Sequence, residues 1–443
     1  MRTSRHLRAP ALLTALLLLV AACTGAEVVE GDGDDAAGAE TDTDTDADTD
    51  ADTDEESAEP DPDAEVVRIG SIHPLTGGLA LDGGQMDDAV KFAVDRINAE
   101  GGIASLGGAQ LEVLAADSQG EPDVGQTEAQ RMIDEGASAI IGAFQSAVTI
   151  NIATLAERSQ VPLVIDVAVA DEIITDASQY TFRIQPNSSR MGEDTAQYLA
   201  DFAAQSDEPI ETIAYLYQED AFGTSVFEAF RDAAEPLGLE IVEAISYNAF
   251  EISDLSTEMA RVDASGADVL INTGYYNDGV LVGRDALTSQ PDVKAIMGVA
   301  QAAFDEPQFP EDVPDGSEFV LGSNYHWDAT SDRVNDLRAD YEEEFGAAMR
   351  TSAVFAYQAV ELIADALERA GSSDPQAVRD ALSDGSFSDP LLAFDGPIEF
   401  GESGENLNAT PIVMQVQDGA PLQVWPEQFA QADLIFPRVP WQE

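Results

Sequence analysis

From residue 66 onward, short apolar runs alternate with amphipathic helical patterns, and this alternation constrains the fold more than any other feature. Strands are predicted at 66–72, 111–115, 139–142, 161–165, 180–184, 212–217, 240–245, 269–272 and 294–298. Helices are predicted at 86–97, 124–135, 146–158, 190–202, 224–234, 255–264 and 279–288, then at 332–345 and 352–370 before a short β-rich tail. Such alternation indicates βαβ units and parallel sheets. Two series of about four βα units each are too many strands for one small sheet. The sequence therefore predicts an α/β architecture with two doubly wound lobes.

The stretch 66–103 contains the first of these units. Val67, Ile69 and Ile72 form an apolar run, four glycines lie between residues 77 and 84, and a helical stripe begins at Met86. The glycine loop therefore follows the carboxyl end of a strand, which is the edge where open α/β sheets bind ligands. A nucleotide-phosphate site is the weaker alternative, because the chain has neither a GxGxxG nor a Gly-Lys-Ser/Thr pattern here.

The charge of the chain is strongly negative. It carries 85 acidic and 20 basic residues, a net charge of −65, and 66 of the acids but only 17 bases lie within 66–443. Nucleic acid is excluded as a partner because phosphate binding needs clustered Lys and Arg. The negative charges on such a surface repel one another, and dissolved ions screen this repulsion. The composition therefore favours a protein adapted to a salty exterior. An ordinary acidic protein is the alternative interpretation.

The amino-terminal segment has the pattern of an export signal. Arg2, Arg5 and Arg8 precede an apolar stretch, 9–22, that is too short to span a bilayer. The sequence before Cys23 resembles a bacterial lipobox, which implies removal of residues 1–22 and lipidation of Cys23, so that the protein is exported and anchored to the outer face of the cell membrane. An ordinary signal peptide with a lone cysteine is the alternative. Residues 23–65 hold 19 acids and no base, which predicts an extended tether and no calcium site.

Several motifs in order along the chain resemble those of the type I periplasmic binding proteins, specifically the branched-chain amino-acid (Leu/Ile/Val) receptor family. The matching segments are HPLTGG at 73–78, INAEGGI at 97–103, 142–146, 182–187, 220–223, 274–276 and 356–371. The resemblance implies two lobes joined by three crossovers, with 66–185 and about 323–395 in lobe 1 and 186–322 and about 396–443 in lobe 2. It implies a monomer without a cofactor that binds a small solute between the lobes and delivers it to ABC permease subunits.

The resemblance also implies which residues bind the solute. Ser146, after Gln145 in the second loop, matches the serine that holds a ligand carboxylate, although Ser146 could equally be an ordinary helix cap. Ala168 matches a backbone contact, whereas Val169 stands where the family usually has threonine. These matches predict an anion subsite that has lost one hydroxyl.

On the lobe 2 side, Tyr275 matches a tyrosine that closes on the ligand and Phe222 matches a second aromatic residue. The glutamate that accepts the ligand's amino group falls on Ala300, with Gln301 beside it. Asp82 and Asp166 are acids that the family pattern does not require. We therefore consider two solute classes, a neutral amino acid and a solute with an extra positive charge or an amide held by Asp82 and Asp166.

Catalysis is disfavoured by the scarcity of reactive groupings. The histidines are His6, His73 and His326, and the sequence contains no HExxH, GxSxG or metal-ligand spacing. The sequence therefore predicts a binding protein, with a receptor that signals to a membrane sensor as the first rival and an enzyme as the second.

Overall fold

A computed structural model of the chain describes residues 66–206, 209–439 and 441. Two large sheets with helices packed on them form the described part, which confirms the predicted two-lobed α/β fold. The predicted signal peptide and tether, including Cys23, lie outside these residues.

The sheet of lobe 1 has five parallel strands in the order β2-β1-β3-β4-β5. The strands are β1 (Val67–His73), β2 (Leu111–Asp117), β3 (Ala139–Gly142), β4 (Leu163–Ile165) and β5 (Thr181–Arg183), and the helices between them are α1 (Ala80–Ala99), α2 (Pro122–Asp134) and α3 (Ser146–Ser159). Strands β3, β4 and β5 are buried along their whole length. Strands β3 and β4 are continuous apolar runs because parallel strands are covered on both faces.

The sheet of lobe 2 has seven strands in the order β14-β13-β10-β9-β8-β6-β7, of which β13 and β14 are antiparallel. The strands are β6 (Thr212–Gln218), β7 (Glu240–Tyr247), β8 (Val269–Thr273), β9 (Ala295–Val299), β10 (Leu321–Asn324), β13 (Ile412–Gln417) and β14 (Ala420–Trp425). The helices are α4 (Ser188–Gln205), α5 (Ala221–Ala234), α6 (Ser256–Ser265), α7 (Tyr276–Ser289) and α8 (Gln308–Asp312). The predicted β-rich tail is therefore the antiparallel edge of this second sheet.

Three later helices belong to the packing of lobe 1. They are α9 (Asp332–Phe345), α10 (Thr351–Ala370) and α11 (Pro375–Asp384), followed by the small hairpin of β11 (Ser386–Phe387) and β12 (Ile398–Glu399). Helix α10 packs against α1 and β3, so 15 of its 20 residues are buried. An α-helix that is apolar on nearly all sides has to be enclosed in this way.

The chain passes between the lobes after β5, after β10 and before β13. The first and third passages are tied together, because Arg183 N–H donates to the Gly404 carbonyl at 2.9 Å and the Arg183 carbonyl accepts from Asn406 N–H at 3.2 Å. Gly404 has a φ of +91°, and a Cβ there would lie 1.9 Å from the Thr181 carbonyl oxygen, so only glycine permits this approach. We propose lobe boundaries near 185, 323 and 395 from these passages.

Candidate functional site

The loops at the carboxyl ends of the two sheets meet in this structure. Phe144, after β3 of lobe 1, lies with its ring centroid 6.1 Å from that of Tyr275, after β8 of lobe 2, at an interplanar angle of 28°. Asp171 N–H donates to Ser225 Oγ at 3.2 Å from lobe 1 to lobe 2. Tyr275, one of the residues predicted to bind a ligand, therefore lies where the two lobes meet.

Ser146 is the first residue of α3, and Gln145, not Ser146, is the residue at the N-cap position. The Ser146 side chain is 2% exposed, and its Oγ accepts from Ala170 N–H at 3.3 Å. The hydroxyl therefore retains its own hydrogen for donation to an acceptor. Together with the amide groups that begin a helix, it forms a subsite suited to an anionic oxygen. Ala170 was not recognised from the sequence, since a backbone N–H leaves no signal there.

The segment 168–170 is held by its carbonyl groups. The Ala168 carbonyl accepts from Gln185 Nε2 at 2.7 Å, and the Val169 carbonyl accepts from Ser188 Oγ at 3.0 Å. Arg183, which is fully buried, donates Nη2–H to the Ala170 carbonyl at 2.9 Å. The Val169 side chain lies in the core of the molecule. Val169 therefore supplies apolar packing at the position where the family usually has the hydroxyl of a threonine.

Tyr275 is surrounded by aromatic rings. It is 5% exposed, and its ring centroid lies 5.4 Å from that of Phe222 and 5.6 Å from that of Phe250. Its hydroxyl donates to Asp220 Oδ2 at 2.8 Å. Burial and the Asp220 carboxylate raise the pKa of Tyr275 well above its ordinary value, so the hydroxyl stays protonated. Tyr275 and Phe222 thus present ring faces at the lobe junction, while the polar tip of Tyr275 is turned into lobe 2.

Gln301 is engaged within lobe 2. Its Nε2 donates to Asn272 Oδ1 at 2.9 Å and to the Tyr275 carbonyl at 3.1 Å, and its Oε1 accepts from Ala303 N–H at 2.6 Å. A side chain held by these three bonds positions the loop of Tyr275. Direct binding of a ligand by Gln301 stays a prediction.

Asp82 and Asp166 are both buried, but each already has a partner. Asp82 Oδ1 accepts from Arg350 Nη1 at 2.8 Å, and Asp166 Oδ2 lies 2.8 Å from His73 Nε2. The Arg350 guanidinium also lies 4.2 Å from the ring centroid of Tyr276 in lobe 2. Arg350 therefore already supplies a cationic partner for Asp82, and binding of a cationic group of the solute by Asp82 stays a prediction.

Two further buried acids, Asp305 and Glu306, follow β9 and were missed in the sequence. Glu306 Oε1 accepts from Thr351 N–H, at the start of α10, at 3.1 Å. The available signal was a pair of adjacent acids in a loop at the carboxyl end of a strand. Acids are so frequent in this chain that such a pair does not stand out.

Within the described ranges, no group of three or more His, Cys, Asp or Glu side chains is arranged to hold a metal ion. Among the same residues, no helix is both long and apolar enough to cross a membrane.

Comparison with known proteins identifies relatives over nearly the whole described chain. A family model described as "Periplasmic binding protein" matches residues 66–421. The Leu/Ile/Val-binding protein homolog 8 of Brucella abortus is 29% identical over 380 residues, which cover 84% of this chain and 93% of that protein.

Solved structures share the fold. A leucine binding protein from Thermotoga maritima gives a TM-score of 0.69 at 23% identity, covering 81% of this chain and 97% of that one. A branched-chain amino-acid transporter substrate binding protein from Streptococcus pneumoniae, in complex with isoleucine, gives a TM-score of 0.69 at 20% identity. The match covers 84% of this chain and 100% of that one. A solute binding protein from R. palustris, in complex with benzoate, gives a TM-score of 0.68 at 16% identity. The match covers 81% of this chain and 95% of that one. Proteins of this kind bind small solutes outside the cytoplasm and deliver them to ABC permeases, and this chain belongs to the periplasmic binding protein family.

Proposed function

We propose that this chain is the extracytoplasmic solute-binding protein of an ABC importer and that it encloses a small, polar, amino-acid-like solute between its lobes. The observation that supports this most directly is the buried hydroxyl of Ser146 beside Ala170 N–H, at a junction that Tyr275 closes from the other lobe. Leucine, isoleucine and benzoate, the ligands named for the related structures, all carry a carboxylate, which is the group that this subsite suits. The solute shifts the protein toward the closed form because it touches both lobes.

The experiment is a search for the solute itself. Mass spectrometry of the purified protein should identify a co-purified small molecule, and that molecule should raise the melting temperature and reduce the radius of gyration measured by X-ray scattering. The forward scattering should correspond to a monomer. A protein that carries no solute and is not stabilised by amino acids, aromatic acids or amines would contradict the proposal, and turnover of the solute would indicate an enzyme instead.

We further propose that lipidation of Cys23 anchors the protein to the outer face of the cell membrane through the acidic segment 23–65. Two or more acyl chains anchor a protein stably, whereas one does not. The wild-type protein should partition into the detergent phase of a Triton X-114 extract, and Cys23→Ser should remain in the aqueous phase or keep residues 1–22. Equal partitioning of both forms into water would show that the anchor does not exist.

The excess of acids over bases in 66–443 leads us to propose adaptation to high salt. Screening of like charges should stabilise the folded body as ionic strength rises. The solute-free sample of the melting experiment tests this, since its melting temperature should rise from low to molar salt. A flat response would remove the proposal and leave the fold unaffected.

A further inference from the structure

Helix α10 begins where the lobes meet, and its first turn is completed by residues of the other lobe. The N-cap position is Arg350, whose side chain does not cap the helix. Thr351, the first helical residue, donates its backbone N–H to Glu306 Oε1 at 3.1 Å, and its Oγ1 lies 3.3 Å from Asp305 Oδ2. Asp305 and Glu306 follow β9 of lobe 2, whereas α10 packs against α1 and β3 of lobe 1. A helix of lobe 1 is therefore capped by a carboxylate of lobe 2.

The start of α10 is fixed on lobe 1. The Arg350 backbone N–H donates to Gln85 Oε1 at 3.1 Å, and the Arg350 guanidinium donates to Asp82 Oδ1 at 2.8 Å. Gln85 and Asp82 both belong to α1, which packs along α10. The Thr351 N–H therefore keeps its place on lobe 1 whether or not lobe 2 lies against it.

The capping carboxylate is fixed on lobe 2. Glu306 N–H donates to the Ala303 carbonyl at 3.0 Å, and the Glu306 carbonyl accepts from Phe309 N–H at 3.0 Å. Phe304 and Phe309 are fully buried in the core of lobe 2, with their ring centroids 5.0 Å apart. The carboxylate of Glu306 therefore moves with lobe 2.

The hydrogen bond between Thr351 and Glu306 favours the arrangement in which the lobes touch. The first N–H groups of a helix have no partner within the helix, and the helix dipole also attracts a carboxylate beside them. Thr351 is 3% exposed and Glu306 is 5% exposed. A buried N–H without an acceptor is costly, whereas the same N–H in separated lobes would be hydrated. The acceptor oxygen of Glu306 therefore stabilises the closed form relative to the open form, with or without a solute.

We propose that Glu306 is a latch between the lobes, which caps α10 across the junction and holds a large fraction of the solute-free protein closed. The apparent affinity for a solute follows the fraction of protein in the binding-competent form, so a group that changes only this fraction changes the affinity for every solute. Glu306 is in this sense a positioning residue and does not touch the solute. The latch goes beyond the proposed function, on which it depends only for the opening and closing of the lobes.

The comparison of Glu306→Ala with Glu306→Gln tests the latch. Both variants lack the buried charge, and only glutamine keeps an acceptor oxygen, so the difference between them isolates the cap. Loss of a helix cap typically changes an equilibrium about 5-fold. We therefore expect the ratio of closed to open solute-free protein to be about 5-fold lower in Glu306→Ala than in Glu306→Gln. The radius of gyration measured by X-ray scattering should be larger in the alanine variant.

Hydrogen exchange at a second contact between the lobes gives a sharper measurement. Asp171 N–H of lobe 1 donates to Ser225 Oγ of lobe 2, and this bond requires that the lobes touch. In the solute-free protein the Asp171 amide should exchange about 5-fold faster in Glu306→Ala than in Glu306→Gln. A merely local role of Glu306 in capping α10 would change exchange at Thr351 and leave exchange at Asp171 unaltered.

Two further variants serve as controls. Glu311→Ala removes an exposed glutamate of α8 that accepts from Gln308 within the same helix, so it should leave exchange at Asp171 unchanged. Glu306→Asp keeps the charge but is one methylene group shorter, so it should open the lobes as alanine does. This variant keeps the test decisive if Glu306→Ala does not fold.

Affinity measurements distinguish a latch from a residue that binds the solute. Calorimetry with L-leucine and with benzoate as probes should show weaker binding to Glu306→Ala than to Glu306→Gln. The two probes should be weakened by one common factor of up to about 5-fold, because only the fraction of closed protein has changed.

The outcomes separate the latch from the proposed function. Equal exchange at Asp171 and equal radii of gyration in the two variants would overturn the latch and leave the proposed function intact. Different factors for the two probes would also overturn it, since Glu306 would then contact the solute. Failure of both probes to bind, together with no co-purified small molecule, would overturn the proposed function, while exchange at Asp171 would still decide the latch.

Discussion

Replacing Arg350 by methionine is expected to lower the free energy of unfolding by about 3–5 kcal/mol, the cost of leaving a buried carboxylate without its ionic partner. Arg350 and Asp82 are 7% and 9% exposed, and their side chains are joined at 2.8 Å. Methionine preserves most of the apolar volume, so the loss is mainly electrostatic. Urea denaturation followed by circular dichroism, with the two-state assumption checked by fluorescence, measures the effect.

The matched control is Arg96→Met, which removes an ion pair with Asp340 whose side chains are 41% and 54% exposed. Exposed pairs contribute about 0–1 kcal/mol, so this variant should unfold near the wild-type midpoint. Adding Asp82→Asn to Arg350→Met should recover part of the lost stability, because the uncompensated charge is then removed. Equal effects of Arg350→Met and Arg96→Met would show that Arg350 does not neutralise a buried charge.

Tyr275→Ala is expected to destabilise the solute-free protein by about 3–5 kcal/mol, the usual cost of deleting a buried aromatic ring. The ring loses contact with Phe144, Phe222 and Phe250, and Asp220 loses the hydroxyl that donates to it. The same variant should weaken solute binding by about 1–3 kcal/mol, because the ring closes one side of the junction. Thermal and urea unfolding give the first value, and calorimetry gives the second.

Tyr275→Phe is the conservative comparison for this position. It keeps the ring and removes only the bond to Asp220, so it should cost about 1 kcal/mol of stability. Full stability of Tyr275→Ala without solute, combined with reduced affinity, would mean that the aromatic packing forms only when the solute is bound.

The regular elements could be predicted from the sequence wherever one face or both faces are consistently apolar. The helix predicted at 332–345 matches α9, and the strand predicted to begin at residue 240 matches the start of β7. Helix α11 was missed because it is short and buries only Val378 and Leu382. The tail was predicted to be β-rich, but the pattern could not show that it pairs antiparallel to β10.

The site was harder to predict because its partners are remote in sequence. Arg350 and Asp82 are 268 residues apart, and nothing local to either residue indicates the other. Asp305 was overlooked because an acidic composition hides individual acids, although its burial sets it apart. The roles of Val169 and Gln301 depend on which way each side chain points, and that direction is decided by packing rather than by residue type.

The tie between the first and third passages has a mechanical consequence. Arg183 and Asn406 bind these two backbones to each other, so neither strand can slide along its neighbour without breaking hydrogen bonds. Such a joint resists sliding of the two segments past each other and allows the lobes to rotate about it. Opening would then be a rotation about this joint, and a pair of fluorophores attached to the two lobes far from the joint would report solute occupancy.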